Sequence, residues 1–140
     1  MNNDQEMKEI LLSAKTVASV GLSSNDEKES YWIVFFLQKI GFRMIPVNPK
    51  ADEILGEKAY SSLSDIPEKI DVVQVFRRPE DVPPVVDEAI KIGAKVVWMQ
   101  VGIVNEEAAR TARAAGLKVV MDACMRMTYK RFFGDTPKAP

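Results

Sequence analysis

The chain has 140 residues, 46% hydrophobic and 28% charged, the size and balance of one globular domain. Its 19 basic and 20 acidic residues nearly cancel, so no broad positive field draws in nucleic acid or an anionic membrane surface. Histidine is absent and cysteine occurs once, at Cys124; this removes Ser-His-Asp hydrolysis, His-ligated zinc and an internal disulfide, and suits the reducing cytoplasm.

The first fifteen residues are acidic early and lack a basic stretch ahead of a long apolar run, so they read as a helix near 4–14 and not as a secretory leader. No segment approaches the roughly 18 apolar residues of a membrane span. Next comes TVASVG (16–21), a short apolar strand. A helix, then RMIPV (43–47), DVVQVF (71–76), KVVWMQ (95–100) and KVVMD (118–122) follow, with a short turn near Leu63–Ile66. Continuous apolar runs of this length indicate strands covered on both faces, as in parallel sheets.

One phrase recurs at 33–47, 88–100 and 109–121: a helical pattern, a glycine, one residue, a basic residue and an apolar strand. Gly41, Gly93 and Gly116 sit where a helix ends in a left-handed residue. Arg43, Lys95 and Lys118 follow near the negative end of the helix dipole. Pro79 with Glu80 and Asp81, and Asn105 with Glu106 and Glu107, mark helix starts. The expected fold is an α/β, Rossmann-like, doubly wound parallel sheet of about five strands in three layers (αβα). It forms one domain over 1–140 with its core at about 10–134, a last helix near Arg126–Phe133 and a frayed tail.

Ligands of such sheets bind beyond the carboxyl ends of the strands. The first such loop carries Gly21, Ser23, Ser24 and Ser30, which either cradle a phosphate or form an ordinary turn capped by Ser30. The acidic Asp26, Glu27 and Glu29 oppose an anion there, offset by Lys28. Neither a dinucleotide fingerprint nor a P-loop is present. In the second loop, Pro46 and Pro49 stiffen the backbone around Val47, Asn48 and Lys50. Asn48 suits a ribose or base and Lys50 a phosphate, or both serve a rigid solvated turn. Phe76, Arg77, Arg78 and Pro79 close the third strand, with an anion contact or a surface ion pair as the readings for the arginines. Gln100, Gly102 and Ile103 end the fourth. Trp32, Trp98 and the Met121–Met127 cluster read as packing. Cys124 follows the last strand, either as a small buried residue or as a thiol near the reactive end of a ligand.

PVNP with ILG, FRRP, GAKVVWMQ, and AGLKVVMD followed by Cys124 together resemble the small stand-alone CoA-binding protein family. That family is related to the CoA-binding domain at the N-terminus of the succinyl-CoA synthetase alpha subunit. The resemblance implies strand order 3-2-1-4-5 and coenzyme A, or an acyl-CoA, across the strand ends. Gly21, Ser23 and Ser30 would line the pyrophosphate turn. Val47, Asn48, Pro49 and Lys50 would hold the adenosine and its 3′-phosphate. Phe76, Arg77 and Pro79 would border adenine or pantetheine, and Gln100, Gly102 and Ile103 the pantetheine arm. The chain departs from many relatives at Lys28, Ala123 and Thr128-Tyr129.

The expected function is binding of CoA or acyl-CoA without catalytic machinery of its own, since no nucleophile–base pair assembles from these motifs and no metal set is present. The alternatives are a redox-linked or acyl-transfer enzyme using Cys124 near the CoA thiol, and a detached subunit of an acyl-CoA synthetase. The expected partner is the small-molecule ligand, not nucleic acid or membrane, with a homo-oligomer or a synthetase partner subunit left open.

Overall fold

The apolar runs form one parallel sheet in the computed structural model, which describes residues 2–139. In chain order the elements are α1 (Asp4–Ser13), β1 (Thr16–Val20), α2 (Glu29–Ile40) and β2 (Arg43–Val47). A hairpin of β3 (Glu53–Ile54) and β4 (Glu57–Lys58) follows, with a tight 3-10 turn at Leu63–Asp65. Then come β5 (Val72–Val75), α3 (Val82–Lys91), β6 (Val96–Met99), α4 (Glu106–Ala114), β7 (Lys118–Val120) and α5 (Met125–Phe133).

Alternation along the strands divides the core. Ala18, Val20, Val73, Val75, Val97 and Met99 face α3 and α4 through Val86, Ala89, Ala109 and Ala112. Val17, Met44, Val72, Trp98 and Val120 face α1, α2 and α5 through Leu11, Val34, Leu37, Met125 and Tyr129. Both faces of the sheet are therefore covered, which is why its strands are apolar throughout. No helix among the described residues is long and apolar enough to cross a membrane.

The sheet order is β2-β1-β5-β6-β7. Counted over these five strands it is 2-1-3-4-5, not the 3-2-1-4-5 that the resemblance implied. On the outer side of β2, Val47 makes an isolated parallel bridge to Tyr60, bordered by Pro46. The Pro46 carbonyl faces outward and accepts the Tyr60 N–H at 3.0 Å, and on that side it has no N–H to offer a further strand. β2 is an edge, and the next long strand pairs on the far side of β1. The hairpin covers this edge instead, turning at Leu55 (φ 54°) and Gly56 (φ 79°), the doubly left-handed pattern of a two-residue β-turn.

Other expectations are corrected. Trp32 is 46% exposed, because the buried stripe of α2 is Ile33, Val34, Leu37 and Ile40; its indole N–H donates to the Asp26 carbonyl. Met121 and Met125 are buried, but Met127 points to solvent. Ser30 lies inside α2 and caps nothing: its hydroxyl accepts the Ser23 N–H. The tail is not frayed over its described part. Lys138 donates from its backbone N–H to Ile40 and from Nζ to the Leu11 carbonyl at 2.6 Å, an orphan acceptor at the end of α1. The three helix-ending glycines do adopt positive φ, and Asn105 caps α4 by accepting the Ala108 N–H.

At the amino edge of the sheet, Asp71 accepts the backbone N–H groups of Lys15 (2.9 Å) and Thr16 (3.0 Å). Burial alone would push its carboxyl up, but these donors, with Lys95 nearby, hold it below the ordinary value. The unfolded carboxyl titrates near pH 4, so this stabilisation is present above about pH 4 and is lost as pH falls through the lowered folded value. Asp71→Asn is therefore expected to flatten the acid limb of a melting-temperature profile. An unchanged limb would remove Asp71 from the account.

Candidate functional site

In the order 2-1-3-4-5 the strand order reverses between β1 and β5, and the crevice at their carboxyl ends is where such folds bind ligands. A cleft of about 410 Å³ lies there, lined by Gly21, Ser23, Lys28, Glu29, Ser30, Ile33, Phe76, Gln100, Val101, Ile103 and Cys124. That volume is ordinary for a small-molecule site. A second cavity of about 480 Å³ lies at the opposite, amino edge, among Asp71, Gly93, Lys95, Gly116 and Lys118. It is larger, but helix carboxyl ends face it, and they repel anions. The switch-point cleft is the stronger candidate.

The turn after β1 is drawn tight. Gly21 has φ 90°, its N–H donates to the Val47 carbonyl at 3.1 Å, and a Cβ on it would stand 2.9 Å from the Phe76 carbonyl oxygen. Only glycine permits that approach. Ser23 Oγ accepts the Asn25 N–H, and Ser30 Oγ accepts the Ser23 N–H. Each hydroxyl thereby keeps its own hydrogen for an incoming acceptor. Ser24 is exposed beside this turn and does not line the cleft.

Two helix amino ends meet the cleft, α2 at Lys28–Ser30 and α5 at Cys124; neither N-cap residue caps its helix with its own side chain, and the first N–H of α5 is held by Gln100. Their first-turn N–H groups and dipoles favour negative charge. Lys28 adds to this and Glu29 opposes it.

The floor is a chain of buried amides. Met125 N–H donates to Gln100 Oε1 at 3.1 Å, Gln74 Nε2 donates to the same oxygen at 3.2 Å, and Ser19 Oγ donates to Gln74 Oε1 at 2.7 Å. A backbone N–H can only donate, so Met125 fixes the direction of the whole chain. Gln100 Nε2 must then face away from it. Gln100 is 4% exposed and lines the cleft, and its Nε2 has no protein partner among the described residues. Ser19 and Gln74, which the loop-end reading does not include, join this floor. Their signal was a polar residue at one phase of two otherwise apolar strands. Lys28, a local counter-charge in the sequence, lines the cleft, as do Glu29, Ile33 and Val101, which no loop-end pattern marks.

Beside the floor, Gln100–Ile103 is a β-turn: Ile103 N–H returns to the Gln100 carbonyl, with Gly102 at φ 81° in the position that needs it. Asp122 Oδ1 accepts the Gly102 N–H at 2.7 Å. Trp98 Nε1 donates to the Ala123 carbonyl at 2.8 Å, tethering the segment that bears Cys124.

The second and third loops lie outside the cleft. Val47 is buried, and Asn48 spends its amide within the protein, donating to the Leu22 carbonyl and accepting the Lys50 N–H. Pro49 and Lys50 are exposed. Arg78 pairs with Asp81 at 3.0 Å, whereas half-buried Arg77 has no ion-pair partner among the described residues. The Pro79 carbonyl accepts from Asn105. The structure thus gathers Gly21, Ser23, Ser30, Phe76, Gln100, Ile103 and Cys124 into one cleft, and leaves Ser24, Val47, Asn48, Pro49, Lys50, Arg77, Pro79 and Gly102 around it.

Residues 15–130 match the model of a family described as CoA binding domain. The chain belongs to this family. It is 44% identical over 124 residues to the uncharacterized protein YneT of Bacillus subtilis (strain 168), covering 89% of this chain and 92% of that one. A hypothetical protein from Pyrococcus horikoshii OT3 superposes with a TM-score of 0.92 at 41% identity, over 95% of this chain and 94% of that one. The ADP-forming acetate–CoA ligase of Methanocaldococcus jannaschii is 37% identical over 92 residues, 66% of this chain; these cover 13% of the ligase. The matched relatives thus range from small proteins covered almost whole to a ligase of which a small part is covered.

Proposed function

We propose that the switch-point cleft binds CoA or an acyl-CoA, and that the chain is a cytoplasmic binding module without ligase chemistry of its own. One observation supports this most: in a chain of the CoA-binding domain family, the cleft combines a close-approach glycine with two serine hydroxyls and the amino ends of two helices. Those features suit the pyrophosphate of such a ligand. The unpartnered Gln100 amide suits a carbonyl of its pantetheine arm. At about 410 Å³ the cleft has room for that arm, with the nucleotide lying across the loops outside it. There Lys50 and Arg77 supply the charge for phosphates, while Val47, Asn48, Pro49 and Pro79 shape the backbone. Gly102 keeps its turn clear of the arm.

Thermal denaturation with and without CoA tests the reading. Ligand at a hundred times Kd adds about 2.7 kcal/mol, which raises the melting temperature by roughly 4 °C for each kcal/mol in a chain of this size. No shift at millimolar CoA would overturn the proposal.

A further inference from the structure

We infer that Cys124 is a thiol–disulfide exchange site for CoA disulfides, an inference that rests on the CoA-binding reading of the same cleft. The Cys124 side chain is half-buried, lines the cleft and makes no hydrogen bond. It is held in place from both sides: the Ala123 carbonyl ahead of it accepts from Trp98, and the Met125 N–H after it donates to Gln100. A free thiol alone would mean little. Gln100 gives it a ligand, because this amide is 4% exposed, anchored through Gln74 and Ser19, and turns an unused donor into the cleft beside the cysteine. In a residue otherwise 4% exposed, that nitrogen is the polar atom left open at the cleft for a ligand acceptor. The arm that fits carries an amide carbonyl a few bonds from a terminal sulfur, and pantetheine has both.

Disulfide exchange is also the reaction that needs least from the protein. The Cys124 thiolate attacks one sulfur of the bound disulfide, the ligand's S–S bond breaks and a new bond forms to Sγ. The displaced CoA thiolate takes up the proton that Cys124 gave up, so one thiol and one disulfide yield one mixed disulfide and one thiol. No outside oxidant or histidine base is required. The dipole of α5, whose amino end begins at Cys124, lies beside the negative charge shared by the attacking and leaving sulfurs.

The test is intact-mass spectrometry under non-reducing conditions, with CoA disulfide and glutathione disulfide offered separately at equal concentration. A single CoA adduct is expected, reversed by dithiothreitol and absent from Cys124→Ser. It should form at least about tenfold faster than the glutathione adduct, because binding makes the attack effectively intramolecular. Equal rates, or no adduct, would overturn the inference. Titrating the reduced wild-type chain with CoA separates the two failures. If CoA binds but exchange is unselective, the exchange proposal alone falls; if CoA does not bind, the functional reading falls and takes this one with it.

Discussion

Gly21→Val is expected to cost about 3 kcal/mol of folding stability and to abolish any melting-temperature response to CoA. A valine at φ 90° is held in a region that costs an L-residue about 1–2 kcal/mol, more so when it is β-branched. Its Cβ would stand 2.9 Å from the Phe76 carbonyl oxygen and 3.2 Å from its carbon. That neighbour is backbone and cannot swing aside, so the overpacking adds about 1–3 kcal/mol. Relief would require β1 and β5 to part at their carboxyl ends, where the cleft opens. Chemical denaturation reads the stability loss, and a variant as stable as wild type that still responds to CoA would show that the close approach is not needed.

Trp98→Ala is the larger structural perturbation. The side chain is fully buried against α1, α2 and α5, and its truncation should cost about 3–5 kcal/mol. A domain of this kind has about 5–15 kcal/mol in total, so the variant approaches unfolding. Trp98→Phe separates packing from tethering. It keeps a ring in the core but gives up the 2.8 Å hydrogen bond to Ala123, at about 1 kcal/mol plus a small cavity. CoA affinity is expected to fall by more than this stability change explains, because the segment carrying Cys124 loses its anchor. Equal affinity for Trp98→Phe and wild type would make Trp98 a core residue and nothing more.

Much of this was legible in the sequence because the signals were local. The helix–glycine–basic–strand phrase fixes three helix ends and three strands within a few residues each, and Gly41, Gly93 and Gly116 do take positive φ. The strand-end rule then found the first loop, Gln100 and Cys124 from order along the chain. What escaped was set by distance. The strand order depends on which side of β1 the next long strand takes, and at the other edge Tyr60 folds back against Pro46. Trp32 was read as core because its segment is apolar on nearly every side; which stripe is buried is decided by the sheet beneath. The bond from the Asn48 amide to the Leu22 carbonyl joins residues 26 apart in sequence, beyond the reach of the loop's own pattern. The Ser19–Gln74–Gln100 chain spans three strands, so no window along the sequence contains it.

The central claim is the place of binding, and amide chemical shifts measured during a CoA titration test it most directly. The account predicts saturable shifts at Gly21, Ser23, Gly102 and Cys124, around the switch-point cleft, with Gly93 and Gly116 at the opposite cavity unmoved. Shifts gathered at Gly93 and Gly116, or none at millimolar CoA, would contradict it.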